Sequence, residues 1–482
     1  MIISELFNQL PHGTPFARRE VRGISRDSRQ LSGGEAFFVI EGDKFDIFKA
    51  LEDISRKVSL LVVEEKHKGK IPSSIKDVPL VYVDDVKKEF NRAVDIFYPV
   101  DLSRFGFIGV TGTNGKTTTA HIMYQLIRHF DLPASLLGTV HYCIEDECID
   151  APYTTPDYFL LRKLLSTIKE DDIRYVVMEV SSHGLVQERI WGIPFRRCIF
   201  TNLSHDHLDY HGTMEEYFQA KTSFFSMNPQ SLAVLNVDDP YGQRLRERIP
   251  HKKITYATSG DADFLAKNIK PYPGGTDFTL RFNQEEFPVR TGLIGIHNVS
   301  NILAALATLY SYGFDMKKCI RYVKCLKAPC GRMEEVIENV YVDYAHTPDA
   351  LEKALVTLKQ SGYKEVICVF GCGGDRDKSK RPVMGQIATQ YADETIITSD
   401  NPRSEDPLAI CREIEKGCSP GRYSVIADRR QAITQALMSR DRRPHSAVLI
   451  AGKGHEAYQI VGARRFPFKD QDVISEVYCK EK

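Results

Sequence analysis

The stretch Gly109-Val-Thr-Gly-Thr-Asn-Gly-Lys116-Thr-Thr-Thr119 decides how this chain is read. The apolar run Phe105–Val110 before it reads as a buried strand. After Lys116, Met123, Leu126, Ile127 and Phe130 recur at i, i+3, i+4 and i+7, one face of a helix. A glycine-rich turn between a strand and a helix is the setting of a phosphate loop. Its glycines let backbone N–H groups crowd around phosphate oxygens, and the helix N-terminus adds partial positive charge. Lys116 is placed to reach the outer phosphates and Thr117 to hold Mg²⁺. The strict spacing asks for glycine at position 110, where this chain has Val110; Gly109 and Gly112 flank it. The alternative, a glycine turn that only caps a helix, would suit a bare Gly-Lys-Thr better than the full strand, loop and helix.

Working outward, strands are expected at Tyr175–Val180, Arg197–Leu203 and Leu232–Val237, with helical segments between several of them. Alternation of this kind argues for a mostly parallel sheet covered by helices. A smaller α/β unit precedes it, with strands at Phe37–Ile40, Leu60–Val63 and Leu80–Val83. A third repeats the alternation in a Rossmann-like manner: Val340–Tyr344, Glu365–Phe370, Glu394–Thr398 and Ala447–Ile450. The expected domains are therefore 1–98, 99–327 and 328–482. Polar runs follow the strands of the third unit (345–347, 371–380, 400–403 and 452–456), where ligands of open α/β sheets sit.

Composition sets limits. The 482 residues allow two to four domains. Lys+Arg and Asp+Glu are both 64, so no net charge advertises a nucleic-acid or membrane partner. No apolar run of ~20 residues is present. Met1 to Pro11 lacks the basic start and apolar core of a signal peptide. The 11 cysteines are scattered; Cys143/Cys148 and Cys325/Cys330 are not CxxC pairs. Reduced thiols in a cytoplasmic protein are expected, with neither a disulfide frame nor a zinc site.

Further motifs lie in register with the loop. MEVSSHGL (178–185), TNLSHDHLDYHG (201–212), AKTSFF (220–225), LIGIHNVSNILAALA (293–307) and GRMEEV (331–336) occupy the middle. VDYAHTPD (342–349), GCGGDRDKSKRP (371–382), SDNPR (399–403) and AGKGHE (451–456) follow. Together with TGTNGKTTT (111–119), these resemble the Mur ligases, nearest their diaminopimelate-adding branch, over essentially the whole chain.

The resemblance implies a three-domain α/β fold and a reaction. ATP phosphorylates the glutamate side-chain carboxylate of UDP-N-acetylmuramoyl-L-alanyl-D-glutamate, and the amine of meso-diaminopimelate attacks the acyl phosphate. Peptidoglycan precursor synthesis is the setting, and a cytoplasmic monomer is expected. The resemblance implies that Gly112, Thr113, Asn114, Gly115, Lys116, Thr117 and Thr118 cradle ATP. Asn298 and Asn301 serve its base; Arg332 and Asp343 serve its phosphate and ribose from the third domain, helping to close it.

Thr117, Glu179, His207 and a carbamylated Lys221 form the implied metal set. Isolated, Glu179 would read as a helix cap and Lys221 as a solvated lysine. His211 is either part of the site or solvent-facing, and His346 either a contact or a satisfied turn histidine. On the nucleotide-sugar side stand Ser28, Thr154, Thr155, Ser181, Gln187 and Arg189. Arg26 reads equally as part of a polar turn. Two departures from the family pattern occur here, at Tyr153 and at Asp46-Ile47, and the second leaves contacts around Asp43–Phe45 without a motif. For diaminopimelate the implied residues are Arg376, Asp400, Asn401, Pro402, Arg403, Gly452 and Glu456. A lysine-adding ligase, a folylpolyglutamate synthase and a P-loop ATPase of another kind are the rival readings. DNPR argues against the first, the recognisable first domain against the second, and the 371–382 and 400–403 motifs against the third.

Overall fold

The computed structural model describes residues 1–7, 16–42, 45–145, 147–168 and 175–480. Asp43 and Lys44, and residues 8–11 of the N-terminal stretch, lie outside the described residues. The chain forms two compact units. One comprises Met1–Arg104, Pro156–Asp172 and Glu188–Trp191; the other comprises Phe105–Thr155, Ile173–Gln187 and Gly192–Lys482.

In the first unit β1 (Gly23–Ser25), β2 (Glu35–Phe38), β3 (Leu60–Glu64) and β4 (Leu80–Val83) form a parallel sheet in sequential order. Every residue of β2 is buried, which accounts for the apolar run that follows Glu35. The helix Val86–Phe97 is capped by Asp85, whose carboxylate accepts from Lys87 N and Lys88 N. The helix Tyr158–Leu165 also belongs to this unit. Phe159 meets Phe90 and Tyr98 edge on or tilted, and the Tyr158 hydroxyl donates to Asp95 at 2.5 Å.

The second unit holds an eleven-stranded sheet. In chain order its strands are β5 (Gly106–Thr111), β6 (Ala134–Leu137), β7 (His141–Ile144), β8 (Glu147–Asp150), β9 (Tyr175–Glu179), β10 (Phe195–Phe200), β11 (Leu232–Asn236), β12 (Lys253–Ala257), β13 (Phe264–Tyr272), β14 (Gly275–Phe282) and β15 (Glu285–Thr291). Their spatial order is 15-14-13-12-11-10-5-9-6-7-8, parallel from β6 through β13 and antiparallel at both edges. The phosphate loop thus leaves the middle of the parallel region. The helix Lys116–Arg128 buries Met123, Leu126 and Ile127 as their spacing predicts, and ends before Phe130. It shares a core with the helix Ile296–Ser311, whose apolar residues are nearly all buried.

A second sheet follows: β16 (Glu334–Ile337), β17 (Val340–Asp343), β18 (Glu365–Phe370), β19 (Glu394–Ile397), β20 (Tyr423–Val425) and β21 (Ser446–Ala451), in the order 16-17-21-18-19-20. All its pairings but β16–β17 are parallel. A hairpin, β22 (Tyr458–Val461) and β23 (Arg464–Pro467), stands beside it, and Arg403 bridges to Val461. The two sheets share packing, since Ile294 lies in the core cluster of the second sheet with Tyr341, Leu355 and Phe370. A Cβ on Gly295 would come 2.7 Å from Thr357 Cγ2.

The expectation of reduced cysteines throughout needs one correction. Cys143 and Cys148 form a disulfide. The β7–β8 hairpin sets them directly opposite one another, with Cα atoms 4.1 Å apart. Register, not sequence motif, makes the pair. Among the described residues no helix is long and apolar enough to cross a membrane.

Candidate active site

The phosphate loop is held from behind by the strand end of β10. Thr113 N donates to Asn202 O at 2.8 Å and Asn114 N to Asn202 Oδ1 at 2.9 Å. Gly112 has φ 145°, and a Cβ there would lie 1.9 Å from Thr201 Oγ1, so no other residue fits. Gly115, at φ 83°, caps the helix that begins at Lys116. The Lys116 ammonium donates to Gly112 O at 2.9 Å and Thr113 O at 2.7 Å. Burial pushes its proton affinity below the ordinary lysine value; Glu179 opposes this and the Arg332 guanidinium adds to it. Arg332, on the second sheet's side, is therefore within electrostatic reach of the loop. Thr118 is buried in the first helical turn.

Glu179 ends β9 and is buried, not a helix cap. Its Oε2 accepts from Thr117 Oγ1 at 2.9 Å and from Thr139 Oγ1 at 3.1 Å; its Oε1 accepts from Thr139 N at 2.7 Å. Mg²⁺ is bound by one or two carboxylates plus phosphate oxygens and water, not by an all-protein cage. Among the described residues no three His, Cys, Asp or Glu side chains converge as such a cage. The oxygen pair of Glu179 and Thr117 beside the loop fits a Mg²⁺ ion shared with phosphates.

Lys221, on the helix Met214–Ser226, is 1% exposed, not solvated. Its amine donates to Gly112 O at 2.8 Å and lies 4.6 Å from the Tyr217 ring centroid. Burial first, then the Lys116 charge, drives its proton affinity far down. Among the described residues no carboxylate forms a salt bridge with it. A lone ammonium there does not fit a second cation; a carbamate on the same nitrogen does. His207, at φ 53°, packs its ring 5.0 Å from His183, and burial lowers its pKa. His211 does not face solvent: it is buried, with Nε2 2.9 Å from Ser182 Oγ.

Asn298 and Asn301 are buried, and their amides are engaged within the protein. Asn298 Nδ2 donates to Ile294 O at 2.9 Å, Asn301 Nδ2 to Asn298 Oδ1 at 3.1 Å, and Asn301 Oδ1 accepts from Thr119 Oγ1 at 3.1 Å. They brace the loop helix. Arg332 stacks over Tyr344, 5.1 Å from the ring centroid, and Asp343 Oδ2 accepts from Met333 N at 2.7 Å. Burial raises the Asp343 carboxyl above the usual range, with Arg332 opposing. His346 is a turn histidine, Nδ1 2.8 Å from Tyr344 O.

The residues expected to take the amino acid converge beyond β18, β19 and β21. Asn401 Nδ2 donates to Glu456 Oε2 at 2.8 Å, and the wholly buried Lys453 reaches the same oxygen at 3.2 Å. Asp400 is buried, and a Cβ on Gly452 would lie 2.6 Å from its Oδ2. Pro402 is buried beside them, and Arg376 is exposed on the neighbouring loop. Arg403, at φ 52°, donates through Nη1 to Gly374 O at 2.7 Å. Among the described residues no carboxylate lies within salt-bridge distance of it.

Thr155 Oγ1 donates to Glu179 O at 2.9 Å and lies 3.1 Å from Ser181 Oγ, and Thr154 Oγ1 accepts from Thr139 Oγ1 at 3.2 Å. These and Gln187 belong to the second unit; Ser28 and Arg189 belong to the first. Arg26 pairs with Asp157 at 2.8 Å within the first unit.

Residues 110–309 match the Mur ligase middle domain and residues 331–454 the Mur ligase glutamate ligase domain. The UDP-N-acetylmuramoyl-L-alanyl-D-glutamate–2,6-diaminopimelate ligase of Geobacillus kaustophilus is 40% identical over 476 residues, 96% of each chain. The chain belongs to the Mur ligase family. A solved structure of a ligase of the same name superposes with TM-score 0.68 at 31% identity, covering 100% of this chain and 99% of that one. The folylpolyglutamate synthase of Mycobacterium tuberculosis, solved with ADP and AMPPCP, shares the fold at TM-score 0.61 and 18% identity. It covers 75% of this chain and 91% of its own.

Three groups of this Mur ligase site escape a motif reading. Thr139, which supplies two of the hydrogen bonds to Glu179, sits in Leu137-Gly-Thr139 with only its place after a strand as a signal. Lys453 is inside AGKGHE, where its lack of exposure is invisible. Arg381, in the first turn of the helix Lys380–Tyr391, pairs with Glu405 of a loop distant in sequence.

Proposed function

We propose that this Mur ligase joins meso-diaminopimelate to UDP-N-acetylmuramoyl-L-alanyl-D-glutamate at the expense of ATP, in peptidoglycan precursor synthesis. The observation that carries the reading is a pairing. A phosphate loop holds the Lys116 amine through its backbone carbonyls, and beyond the second sheet a guanidinium, Arg403, has no carboxylate within salt-bridge distance among the described residues. ATP supplies the phosphoryl group, and a free amino acid bearing a distal carboxylate supplies what Arg403 lacks.

In this reading the loop amides of Gly112–Thr118 cradle the phosphates, while Lys116 and Arg332 neutralise charge as the γ-phosphoryl moves to the substrate carboxylate. Asn298 and Asn301 keep the loop helix in place under the base. Mg²⁺, held by Thr117 and Glu179, supplies positive charge to the phosphate oxygens when bound. Lys221 as a carbamate, with His207, holds a second ion. Thr154, Thr155, Ser181 and Gln187, with Ser28 and Arg189 of the first unit, bind the nucleotide dipeptide. The amine of diaminopimelate attacks the acyl phosphate; the C–N bond forms and phosphate leaves. Asn401 and Glu456 hold the amino-acid head groups, and Asp400, Pro402 and Gly452 shape the turn around them. Arg376 and Arg403 take carboxylates, Arg403 through two parallel hydrogen bonds. The domains are 1–98 for the UDP part, 99–327 for ATP and 328–482 for the amino acid, the last closing on ATP through Arg332 and Asp343.

The test is ADP release with ATP, dipeptide and either diaminopimelate or lysine, each omitted in turn. The expected result is turnover only with all three present, and with diaminopimelate strongly preferred. Equal kcat/KM for lysine would overturn the assigned substrate; rapid ADP release without peptide would overturn the ligase reading.

A further inference from the structure

Two loops carry the cations of the amino-acid site: residues 371–380 after β18, with Arg376, and 398–406 after β19, with Arg403. They interlock. Arg381, fully buried at the start of the helix Lys380–Tyr391, donates Nη1 to Glu405 Oε2 at 2.9 Å and to Glu413 Oε2 at 2.6 Å. Its Nη2 donates to Glu405 Oε1 at 2.9 Å and to Gly373 O at 3.2 Å. Glu405 Oε1 also accepts from Asp375 N at 2.7 Å. In return the Asp375 carboxylate accepts from Ser404 N at 3.3 Å and from Ser404 Oγ at 2.5 Å. Each loop therefore sends a carboxylate to the backbone of the other, and one buried guanidinium grips both.

Arg403 lies at the centre of this clamp. Its guanidinium rests on Gly374 O at 2.7 Å, and a Cβ on Gly373 would approach its Nη1 to 2.9 Å. The left-handed backbone of a non-glycine residue is unfavourable and persists only when neighbours enforce it. Here the flanking Pro402 and Ser404 are fixed by the opposite loop, since a Cβ on Gly374 would touch Pro402 O and Asp375 binds Ser404. A bidentate carboxylate contact tolerates displacement poorly: misplacement of about 1 Å can cost ~100-fold in rate.

We propose that Arg381 and Glu405 are positioning residues that aim Arg403 at the distal carboxylate of the amino acid, and so set the preference for diaminopimelate over lysine. The inference rests on the reading of Arg403 given above. Among the described residues the clamp bonds to no group assigned to ATP or dipeptide binding. Disturbing it should act on one substrate.

The test is steady-state kinetics of the full chain with Glu405→Gln, Asp375→Asn and Arg403→Ala. Glu405→Gln keeps the shape but removes one of the two carboxylate charges that hold Arg381, the one on the opposite ligand loop. Asp375→Asn weakens the reciprocal contact at the exposed side of the clamp. The expected result for Glu405→Gln is a rise of about tenfold or more in KM for diaminopimelate, the equivalent of ~1.4 kcal/mol. KM for ATP and dipeptide and kcat/KM for lysine stay within about twofold, so the diaminopimelate-to-lysine ratio falls about tenfold. An unchanged ratio, or an equal loss for every substrate, would overturn the inference. If Glu405→Gln does not fold, Asp375→Asn decides by the same criterion. Arg403→Ala separates the two levels. If it leaves the ratio intact, the reading of the amino-acid site falls and the clamp with it. If it alone destroys the ratio, only the clamp falls.

Discussion

Replacing Lys116 by methionine should separate catalysis from stability. The ammonium is largely shielded from solvent and, among the described residues, pairs with no carboxylate and donates only to Gly112 O and Thr113 O, at 2.9 and 2.7 Å. Each hydrogen bond from a charged group contributes about 1.5–3 kcal/mol. Burying an unpaired charge carries a desolvation cost of several kcal/mol per ion. The two nearly cancel, so the variant should lie within ~1 kcal/mol of the parent, a midpoint shift of about 2–4 °C for a domain of 150–250 residues. Activity should respond differently. A preorganised charge that meets developing negative charge contributes about 2.7–4 kcal/mol, or ~100- to 1,000-fold in kcat.

A pH series adds a second readout. Burial depresses the Lys116 proton affinity in the folded chain. Below the ordinary lysine value and above the depressed one, the unfolded chain then binds more protons, and stability rises with pH. Lys116→Met should flatten that rise. The assay is ADP release with all substrates, beside thermal melting across pH. A variant that melts normally and turns over within tenfold of the parent would refute the loop assignment; an unchanged pH slope would refute the burial argument.

Four further outcomes follow from the same geometry. Lys221→Ala should be nearly inactive and regain part of its turnover with added short-chain carboxylates, and mass spectrometry of the native protein should find the carbamate's added mass; wild-type turnover in the variant would exclude the role. Asp470→Ala strands Arg429, whose Nε and Nη2 meet that carboxylate at 2.8 and 2.7 Å in a fully buried pair, so unfolding should move by about 3–5 kcal/mol; a shift under 1 kcal/mol in denaturant titration would contradict this. Alkylation of the unfolded, unreduced protein should count nine thiols and reduction should expose two more, at Cys143 and Cys148; eleven thiols without reductant would exclude the disulfide. Scattering from the substrate-free protein should be more extended than with ATP analogue and dipeptide, since Lys116 opens a helix packed on the first large sheet whereas Arg332 precedes the first strand of the second; identical profiles at saturation would argue against closure.

The parts of this protein legible in sequence are those whose chemistry is contiguous. The phosphate loop is a strand, a turn and a helix start in one run, so local propensity and glycine placement suffice. Strands buried on both faces, such as β9 and β21, show as unbroken apolar runs. The helix Tyr158–Leu165 is different. Its own periodicity says helix, but nothing local says that Phe159 and Tyr158 pack with Phe90 and Asp95 of the N-terminal unit. The Cys143–Cys148 pair depends on hairpin register, and a one-residue slip would point the two sulfurs to opposite faces.

The same distinction orders the site itself. Lys116, Glu179, Lys221 and Arg403 each sit in a readable motif, because each ends or follows a strand or lies on a helix that the loop contacts. What makes them work is non-local: Thr139 on Glu179, Thr119 on Asn301, Lys453 on Glu456, Glu405 on Arg381. Threonine, lysine and glutamate at such positions look like ordinary polar surface, and only burial reveals them. Arg381, with no exposure and two carboxylates, has the chemistry of a site and the location of a core. A buried ion pair of this kind adds little net stability over an apolar isostere. Its presence between two ligand loops is therefore better explained by where it holds Arg403 than by how much it stabilises the sheet.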